Sequence, residues 1–165
     1  MKTIIIAGYP GIGKTTVSNK YQNVLDIDSY YFYNLYDKNQ SLEKPKRINP
    51  KWPQNYIKEI KNQIKNYDII LIGIRPDALD LLEKENIEFI ICYPDKESLN
   101  FYKTRYESCG YQTDTIDRNL NSYEYIVNKM QEYNKPKIIL RNNETLENYL
   151  INNDYNLRQK QSILL

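Results

Sequence analysis

Apolar residues along the chain are concentrated in five short runs, separated by longer stretches where they recur at every third or fourth position. The runs cover residues 3–7, 24–27, 68–72, 89–93 and 137–140. Near-continuous apolar runs of this length are typical of strands that are buried on both faces. The pattern therefore predicts an α/β fold, a three-layer sandwich with about five parallel strands and helices on both faces of the sheet.

Helical spacing is clearest in two of the intervening stretches. Each has apolar residues at three- and four-residue steps, which place one stripe on one side of a helix. The stripes are Ile57, Ile60, Ile64 and Tyr67, and then Ile116, Leu120, Tyr123, Val127 and Met130. Each stripe predicts one helix. Asp95 is a candidate N-cap for a further helix that carries Leu99, Tyr102 and Tyr106.

Two segments interrupt this alternation. Residues 29–55 are long, aromatic and basic and contain three prolines, and residues 109–115 form a short polar turn with Gly110. A long irregular insert in a compact domain is usually functional or disordered. No repeat or linker marks a second domain, so a single domain over residues 1–165 is expected, with a polar tail (152–165) that is either a terminal helix or frayed.

Composition narrows the chemistry. The 165 residues carry a net charge of only +2, which gives no bulk attraction to nucleic acid and leaves only a local basic groove for it. The chain has no His, which excludes His-based triads and His-ligated zinc or haem. Its two Cys lack CxxC spacing, and the apolar N-terminal run is too short for a signal sequence or a membrane span. We therefore expect a cytoplasmic protein without membrane attachment.

The strongest motif follows the first apolar run. Residues 8–15, GYPGIGKT, fit GxxxxGK[ST] without a gap. Glycines at these positions let backbone N–H groups line a nest for phosphate oxygens, at a helix N-terminus that adds partial positive charge. Lys14 would reach the β- and γ-phosphates of ATP, and the Thr15 hydroxyl would bind Mg²⁺. The alternative is a glycine-rich turn that binds nothing.

The longer string GYPGIGKTT, residues 8–16, resembles the phosphate loop of the nucleoside monophosphate kinase-like group of P-loop kinases. That group includes adenylate, shikimate and gluconate kinases and the kinase half of polynucleotide kinase. The resemblance implies an acceptor-side insert at 29–55, a helical lid at 105–118, and ATP and Mg²⁺ as cofactors. The residues implied to bind ATP are Gly8, Gly11, Ile12, Gly13, Lys14, Thr15, Thr16, Arg105 and Arg141.

Two carboxylates, Asp26 and Asp28, end the second apolar run. Two residues apart on a strand, they share a face, and the strand end should lie beside the phosphate loop. The pair is similar to the DxD of shikimate and gluconate kinases, which implies Asp26 in the metal shell and Asp28 at the acceptor. The alternative is a solvated strand end or a helix cap. The third run ends in Gly73 and not in Asp, which favours a small kinase over a motor ATPase or GTPase.

Three arginines complete the candidate site. Arg75, in Gly73-Ile74-Arg75-Pro76, loosely resembles the Gly-Phe-Pro-Arg element of adenylate kinase, which grips the acceptor's phosphate. Arg105 lies where the lid of this group closes over the phosphates, and Arg141 lies where the group contacts adenine. A solvated loop or a surface ion pair is the alternative for Arg75 and Arg105.

The insert offers a further hypothesis. Its basic and aromatic residues form either an acceptor pocket or a hydrophobic cluster with a charged rim. They are Tyr30, Tyr31, Phe32, Tyr33, Lys44, Lys46, Arg47 and Trp52.

These observations predict an ATP-dependent phosphotransferase that acts on a nucleotide-type small molecule, with Lys14, Asp28, Arg75 and Arg105 in catalysis and Thr15 and Asp26 at the metal. Two alternatives stay open: a kinase of a hydroxyl acceptor (a nucleoside, sugar or polynucleotide 5′-hydroxyl), and a regulatory NTPase. A nucleic-acid end is not the favoured partner, and the protein is expected to be a monomer or homodimer.

Overall fold

Five parallel strands form the central sheet of the computed structural model, which describes residues 2–35, 47–110, 112–141 and 143–160. In chain order they are β1 (Ile4–Gly8), β2 (Val24–Ile27), β5 (Ile69–Gly73), β6 (Ile90–Pro94) and β7 (Lys137–Leu140). A separate antiparallel pair, β3 (Asn34–Leu35) and β4 (Arg47–Ile48), lies in the insert. The predicted α/β class and five-stranded parallel sheet are confirmed, and each predicted strand coincides with an observed one to within one residue.

Strand order is β2-β5-β1-β6-β7, so β1 lies at the centre and pairs with β5 on one side and β6 on the other. Gly8 pairs with Gly73 and with Cys92 at the carboxyl ends of these three strands. The carboxyl ends of parallel strands meet at one edge of a sheet, where ligands bind in α/β proteins. This edge is therefore where the loops that follow β1, β2 and β5 converge.

Eight α-helices and one 3₁₀ turn surround the sheet in the described part of the chain. The helices are α1 (Lys14–Lys20), α2 (Tyr30–Tyr33), α3 (Gln54–Gln63), α4 (Pro76–Lys84), α5 (Leu99–Ser108), α6 (Thr113–Asn121), α7 (Tyr123–Glu132) and α8 (Leu146–Asn152). The 3₁₀ turn spans Lys96–Ser98. Right-handed crossovers assign α3, α4 and α7 to one face and α1 to the other. The contacts of α3 with α4 and of α1 with α8 are consistent with a three-layer sandwich.

The core lies on both faces of the sheet. Ile70, Leu71 and Ile72 of β5 are completely buried, as are Ile6 and Ala7 of β1. Burying an aliphatic side chain of this size stabilises the fold by about 1.5–3 kcal/mol. The central strands thus form a rigid base for the loops at their carboxyl ends.

The prediction of a single helix through residues 116–130 is wrong. The apolar stripe is interrupted at Ser122, which separates α6 from α7. Its hydroxyl donates to the carbonyl of Arg118 at 2.8 Å and lies 3.3 Å from that of Asn119. Such bonding to the preceding turn competes with the helix and bends it. Asp95 does precede a helical segment, but its carboxylate accepts from the Ser98 hydroxyl and makes no N-cap bond to a backbone N–H.

The described part of the tail, up to residue 160, is an extended segment after α8. Its backbone bonds to the segment between α1 and β2, with Gln22 N–H donating to the Arg158 carbonyl at 2.8 Å. The buried Asn23 side chain donates to the Asn156 carbonyl at 2.6 Å and to Asp68 at 2.9 Å. The tail is therefore held against the amino edge of the sheet, opposite the carboxyl edge where the loops after β1, β2 and β5 converge.

No helix within the described ranges is long and apolar enough to cross a membrane.

Candidate functional site

A large cleft opens at the carboxyl ends of β1, β2 and β5, with a volume of about 1250 Å³. Ten of the residues predicted from the sequence line it. They are Gly8, Gly11, Gly13, Lys14, Thr15, Thr16, Asp26, Asp28, Arg75 and Arg105. Residues from four separate parts of the chain therefore meet at one site, as the parallel sheet topology requires.

Between β1 and α1, residues 8–13 form what we call the glycine loop. Gly11 and Gly13 have φ angles of 84° and 102°, which side chains with a Cβ rarely adopt. Gly13 takes the N-cap position of α1 without a side-chain cap. The first turn of α1 therefore presents its N–H groups to the cleft.

Every carbonyl group from residue 8 to residue 12 accepts a hydrogen bond. The donors are Lys14 Nζ to Gly8 at 3.0 Å and to Tyr9 at 3.2 Å, the Tyr106 hydroxyl to Pro10 at 3.0 Å, Arg105 Nε to Gly11 at 2.6 Å, and Leu146 N–H to Ile12 at 3.0 Å. With its acceptors occupied in this way, the loop keeps one orientation of its peptide groups.

Several amide groups of the loop and of the first turn of α1 are unpaired, although Tyr9 N–H bonds to the Cys92 carbonyl at 2.9 Å and Ile12 N–H lies 3.5 Å from the Tyr9 carbonyl. Within the described chain, the N–H groups of Gly11, Gly13 and residues 14–16 have no acceptor, whereas Val17 N–H bonds to the Gly13 carbonyl at 3.0 Å. Successive unpaired amides at a helix N-terminus form a concave anion-binding nest. The glycine loop can therefore accept several phosphate oxygens at once.

Lys14 lies beside this nest. Burial lowers the pKa of its ammonium, and the nearby carboxylates of Asp26 and Asp28 oppose that shift. Its Nζ bonds to two loop carbonyls, which are weaker partners than an anion would be. The ammonium can therefore turn to an anion that enters the nest and strengthen its binding.

Thr15 and Asp26 form a second polar pair. The Thr15 hydroxyl donates to Asp26 Oδ2 at 2.7 Å, while Asp26 Oδ1 is buried and has no hydrogen-bond partner among the described residues. Burial raises the pKa of Asp26, and the bond from Thr15 and the charge of Lys14 oppose that rise. An unpaired buried carboxylate oxygen beside a threonine hydroxyl suits a small hard cation.

This donor set fits Mg²⁺ in a particular way. No group of three or more His, Cys, Asp or Glu side chains in the described ranges could hold a metal ion by itself. Mg²⁺ is commonly held by one or two protein oxygens, with phosphate oxygens and water completing the shell. Thr15 and Asp26 could therefore hold Mg²⁺ together with a bound phosphate group.

Asp28, two residues beyond Asp26, is exposed at the mouth of the cleft. Its Oδ1 accepts from the backbone N–H of Tyr30 at 2.9 Å, at the start of α2. The capping alternative raised by the sequence is thus observed. It does not exclude a chemical role, because the second carboxylate oxygen has no hydrogen bond to any described residue and faces solvent.

Arg75 approaches the cleft from the β5–α4 turn. Its guanidinium lies over the Tyr33 ring, 3.5 Å from the centroid, and 5.4 Å from the centroid of Trp52. Its Nε is buried without a hydrogen bond in the described chain, and the carboxylate of Asp77 is 4.0 Å away. Stacking on two aromatic rings restricts the guanidinium, so its remaining N–H groups are preorganised for an anion.

The insert contributes to this arrangement through its aromatic residues. Trp52 stacks on Tyr56 with centroids 5.3 Å apart, and Tyr33 packs edge-on against Trp52 at 5.4 Å. Arg47 is exposed on β4, and Lys44 and Lys46 lie outside the described residues. Tyr33 and Trp52 thus belong to a hydrophobic cluster that supports Arg75, whereas Tyr30 and Tyr31 are exposed.

Arg105 is on α5, within the segment predicted as a lid. Besides its Nε bond to Gly11, a terminal nitrogen lies 3.1 Å from where a Cβ at Gly13 would be. The guanidinium thus contacts the glycine loop at both Gly11 and Gly13 and lines the cleft. Helices α5 and α6 contact each other, and a lid role for residues 105–118 stays a prediction.

Two predicted residues lie elsewhere. The Ile12 side chain is completely buried in the core, so only its backbone belongs to the loop. Arg141 is exposed just after β7 and does not line the cleft. Its proposed contact with adenine stays a prediction.

The sequence analysis missed Tyr106 as a site residue. It appeared only as one member of a helical apolar stripe, yet it is buried against the loop and bonds to Pro10. Its neighbours Tyr9 and Tyr102 belong to the same aromatic cluster, and burial raises the pKa of Tyr9 to about 12. Helix spacing alone does not distinguish a tyrosine that packs from one that also fixes a loop.

Alanine at Gly11 and at Gly110 should separate backbone strain from steric clash. Both glycines have positive φ, but a Cβ at Gly11 would be 2.5 Å from Tyr106 Cε1, whereas one at Gly110 meets no atom of the described residues within 4 Å. We expect Gly110→Ala to cost about 1 kcal/mol in the free energy of unfolding, from strain alone. Gly11→Ala should cost about 1–3 kcal/mol more. Urea titration measures both, and equal losses would contradict the close contact with Tyr106.

Comparison with known proteins adds no relative: no protein-family model matches this chain, and no curated protein is detectably similar to it in sequence.

Proposed function

We propose that this protein is an ATP-dependent phosphotransferase that transfers the terminal phosphoryl group of ATP to a nucleotide-type small molecule. The observation that carries the proposal is the orientation of the glycine loop. The loop carbonyls are all bonded, the N–H groups of Gly11, Gly13 and residues 14–16 are unpaired in the described chain, and the Lys14 ammonium bonds to two carbonyls of the same loop. Backbone amides, an ammonium and a hydroxyl are the groups that hold the phosphates and Mg²⁺ in P-loop enzymes, and their presence here supports the proposal.

In this proposal the chain acts by positioning and by charge. The loop amides and Lys14 hold the β- and γ-phosphates, and Arg105 neutralises charge that develops during transfer. Thr15 and Asp26 hold Mg²⁺, which supplies Lewis-acid stabilisation of the phosphate oxygens when bound. Transfer then proceeds in line: the acceptor oxygen bonds to the γ-phosphorus as the bond to the β–γ bridging oxygen breaks, and ADP leaves.

The acceptor class rests on Arg75. A guanidinium stacked on Tyr33 and facing the same cleft suits bidentate contact with a phosphate or another oxyanion. A phosphate acceptor already carries an ionised oxygen and needs no general base. We therefore favour a nucleoside monophosphate as acceptor.

A hydroxyl acceptor is the second candidate, and the exposed Asp28 carboxylate at the cleft favours it. Such an acceptor has to lose a proton during transfer, and a carboxylate within hydrogen-bond reach can take it. Nucleosides, sugars and polynucleotide 5′-hydroxyl ends belong to this class.

A screen with γ-labelled ATP tests the proposal. Nucleoside monophosphates, nucleosides and 5′-hydroxyl oligonucleotides are incubated separately with the protein and Mg²⁺, and label transfer and ADP release are measured. We expect ADP release to depend on the added acceptor, with the nucleoside monophosphates most active. Acceptor-independent turnover would instead identify a regulatory NTPase.

Asp28→Asn should distinguish the two acceptor classes. The asparagine oxygen can still accept from Tyr30 N–H, so the start of α2 is preserved. If the acceptor is a hydroxyl, we expect kcat to fall by about 10²-fold or more, with the KM for ATP unchanged. With a phosphate acceptor, kcat should fall by less than about tenfold.

Asp154→Asn, at an exposed position in the tail, is the control and should change neither kinetic constant. Steady-state kinetics with the best acceptor of each class gives both values. A loss of ATP affinity in Asp28→Asn without a loss of turnover would contradict both assignments for Asp28.

A further inference from the structure

One wall of the cleft is built from α7 and the residue that follows it, and the predicted site does not account for it. Tyr125, Lys129 and Tyr133 recur at four-residue steps, and so do Ile126 and Met130. All five line the cleft. We call this set the α7 wall.

The core explains only part of this pattern. Helix α7 packs into the protein through Tyr123, Val127 and Met130, which are almost completely buried. One stripe of this kind is enough to hold an amphipathic helix. Tyr125 is on a different side and is 66% exposed, which makes it the most exposed large apolar residue in the described chain. A second apolar face that borders a cleft is characteristic of a ligand site.

The position of the α7 wall points to the acceptor and not to ATP. Lys135, just after α7, pairs with Glu83 at the carboxyl end of α4 at 3.0 Å. Since α4 and α7 lead into the adjacent parallel strands β6 and β7, the two helices run side by side with their amino ends, and with them Arg75 and Tyr125, at the carboxyl edge of the sheet. The α4 helix begins directly after Arg75, whose guanidinium enters the same cleft. The part of the cleft between α4 and α7 is therefore lined by the α7 wall and by Arg75, and it adjoins the glycine loop.

Charge in the cleft favours an anionic occupant. Four cationic residues line it against two carboxylates: Lys14, Arg75, Arg105 and Lys129, against Asp26 and Asp28. Lys129 is paired with Glu132 at 2.8 Å, whereas Arg75 Nε makes no hydrogen bond in the described chain and is 4.0 Å from the Asp77 carboxylate. An acceptor that fits both the cationic lining and the α7 wall has an anionic group that contacts Arg75 and a planar apolar ring that contacts Tyr125.

We propose that the α7 wall binds the ring of the acceptor, and that Tyr125 is its main specificity determinant. The ligand class is an aromatic ring joined to a phosphate, of which a nucleoside monophosphate is the biological form. This inference rests on the proposed function for the identity of the reaction, but ring recognition can be tested by binding alone.

The test is calorimetric titration of the full chain, without turnover. The probes are the four common nucleoside monophosphates and ribose 5-phosphate, which has the phosphate but no ring. We expect at least one nucleoside monophosphate to bind about tenfold or more tightly than ribose 5-phosphate. Tyr125→Ala should weaken that binding by about tenfold, and Tyr125→Phe should preserve it.

Ile151→Ala, which removes an exposed apolar side chain from α8, is the matched control and should leave binding unchanged. Equal binding of ribose 5-phosphate and the nucleoside monophosphates by the wild type would overturn the inference. So would a Tyr125→Ala variant, folded by circular dichroism, that binds them as the wild type does. Titration with ATP and Mg²⁺ checks the proposed function separately, because Tyr125→Ala should leave ATP affinity unchanged.

Discussion

Lys14→Ala should reduce kcat/KM for ATP-dependent transfer by about 10³-fold, the largest effect expected from any single substitution in the cleft. Loss of one preorganised donor to a developing charge costs about 10²–10³-fold in transfer reactions, and Lys14 also contributes to ATP binding. Its ammonium lies beside the unpaired amides of the glycine loop. Label transfer from γ-labelled ATP measures the loss.

The fold should survive this change. Burial disfavours the charged form of Lys14, which lowers its pKa, so removing the ammonium should favour the folded state. The loss of its hydrogen bonds to two loop carbonyls should act in the opposite direction. We expect the free energy of unfolding to stay within about 1 kcal/mol of the wild type.

Lys20→Ala provides the control, because Lys20 is on the same helix and forms an exposed ion pair with Glu147. Exposed ion pairs contribute little to stability because solvent screens them, so this variant should be active and about as stable as the wild type. Full activity in a folded Lys14→Ala variant would remove the basis of the proposed function.

Asp26→Asn should have the second largest effect, and it should act on activity and stability in opposite directions. We expect transfer to fall by about 10²-fold and the half-saturating Mg²⁺ concentration to rise, because a neutral amide binds Mg²⁺ more weakly than a carboxylate. Stability at pH 7 should rise by about 1 kcal/mol, as often follows when an unfavourable functional group is removed. Mg²⁺ titration of turnover and urea unfolding measure the two effects.

The stability difference should depend on pH with a definite sign. Burial raises the folded-state pKa of Asp26 above its unfolded value of 3.8, so the folded state takes up the proton first as the pH falls. The wild type therefore gains stability from this group on acidification and loses it as the pH rises through the folded-state pKa. The advantage of Asp26→Asn should accordingly be greatest at neutral pH and disappear as the pH falls to about 4.

Asp154→Asn is the matched control, because Asp154 is exposed in the tail at a positive φ that asparagine also tolerates. It should change neither Mg²⁺ dependence nor the pH dependence of stability. If Asp26→Asn were less stable than the wild type at every pH, the unpaired Oδ1 would have to be satisfied by a group that the structure does not show.

The sheet could be predicted because its signal is local. Runs such as residues 68–72 are apolar at nearly every position, and a strand buries all the side chains of so short a run when both of its faces are covered. Helix boundaries were less predictable. The spacing from Ile116 to Met130 is that of one helix, but the Ser122 hydroxyl bonds to the preceding turn and divides it. Apolar periodicity contains no information about such a side-chain bond.

The candidate site likewise has some features that follow from local sequence and others that depend on tertiary packing. The amino-acid order determined the parallel α/β sheet, the glycine loop, and the placement of Asp26, Asp28 and Arg75 at strand ends, because these follow from local spacing and from the rule that parallel strands end at one edge. The tertiary structure decided which side chains hold the loop and which line the cleft. Tyr106, Arg105 and Tyr125 come from helices about a hundred residues beyond the loop. Their contacts depend on how α5 and α7 pack on the sheet, and long-range packing of this kind leaves no local pattern in the sequence.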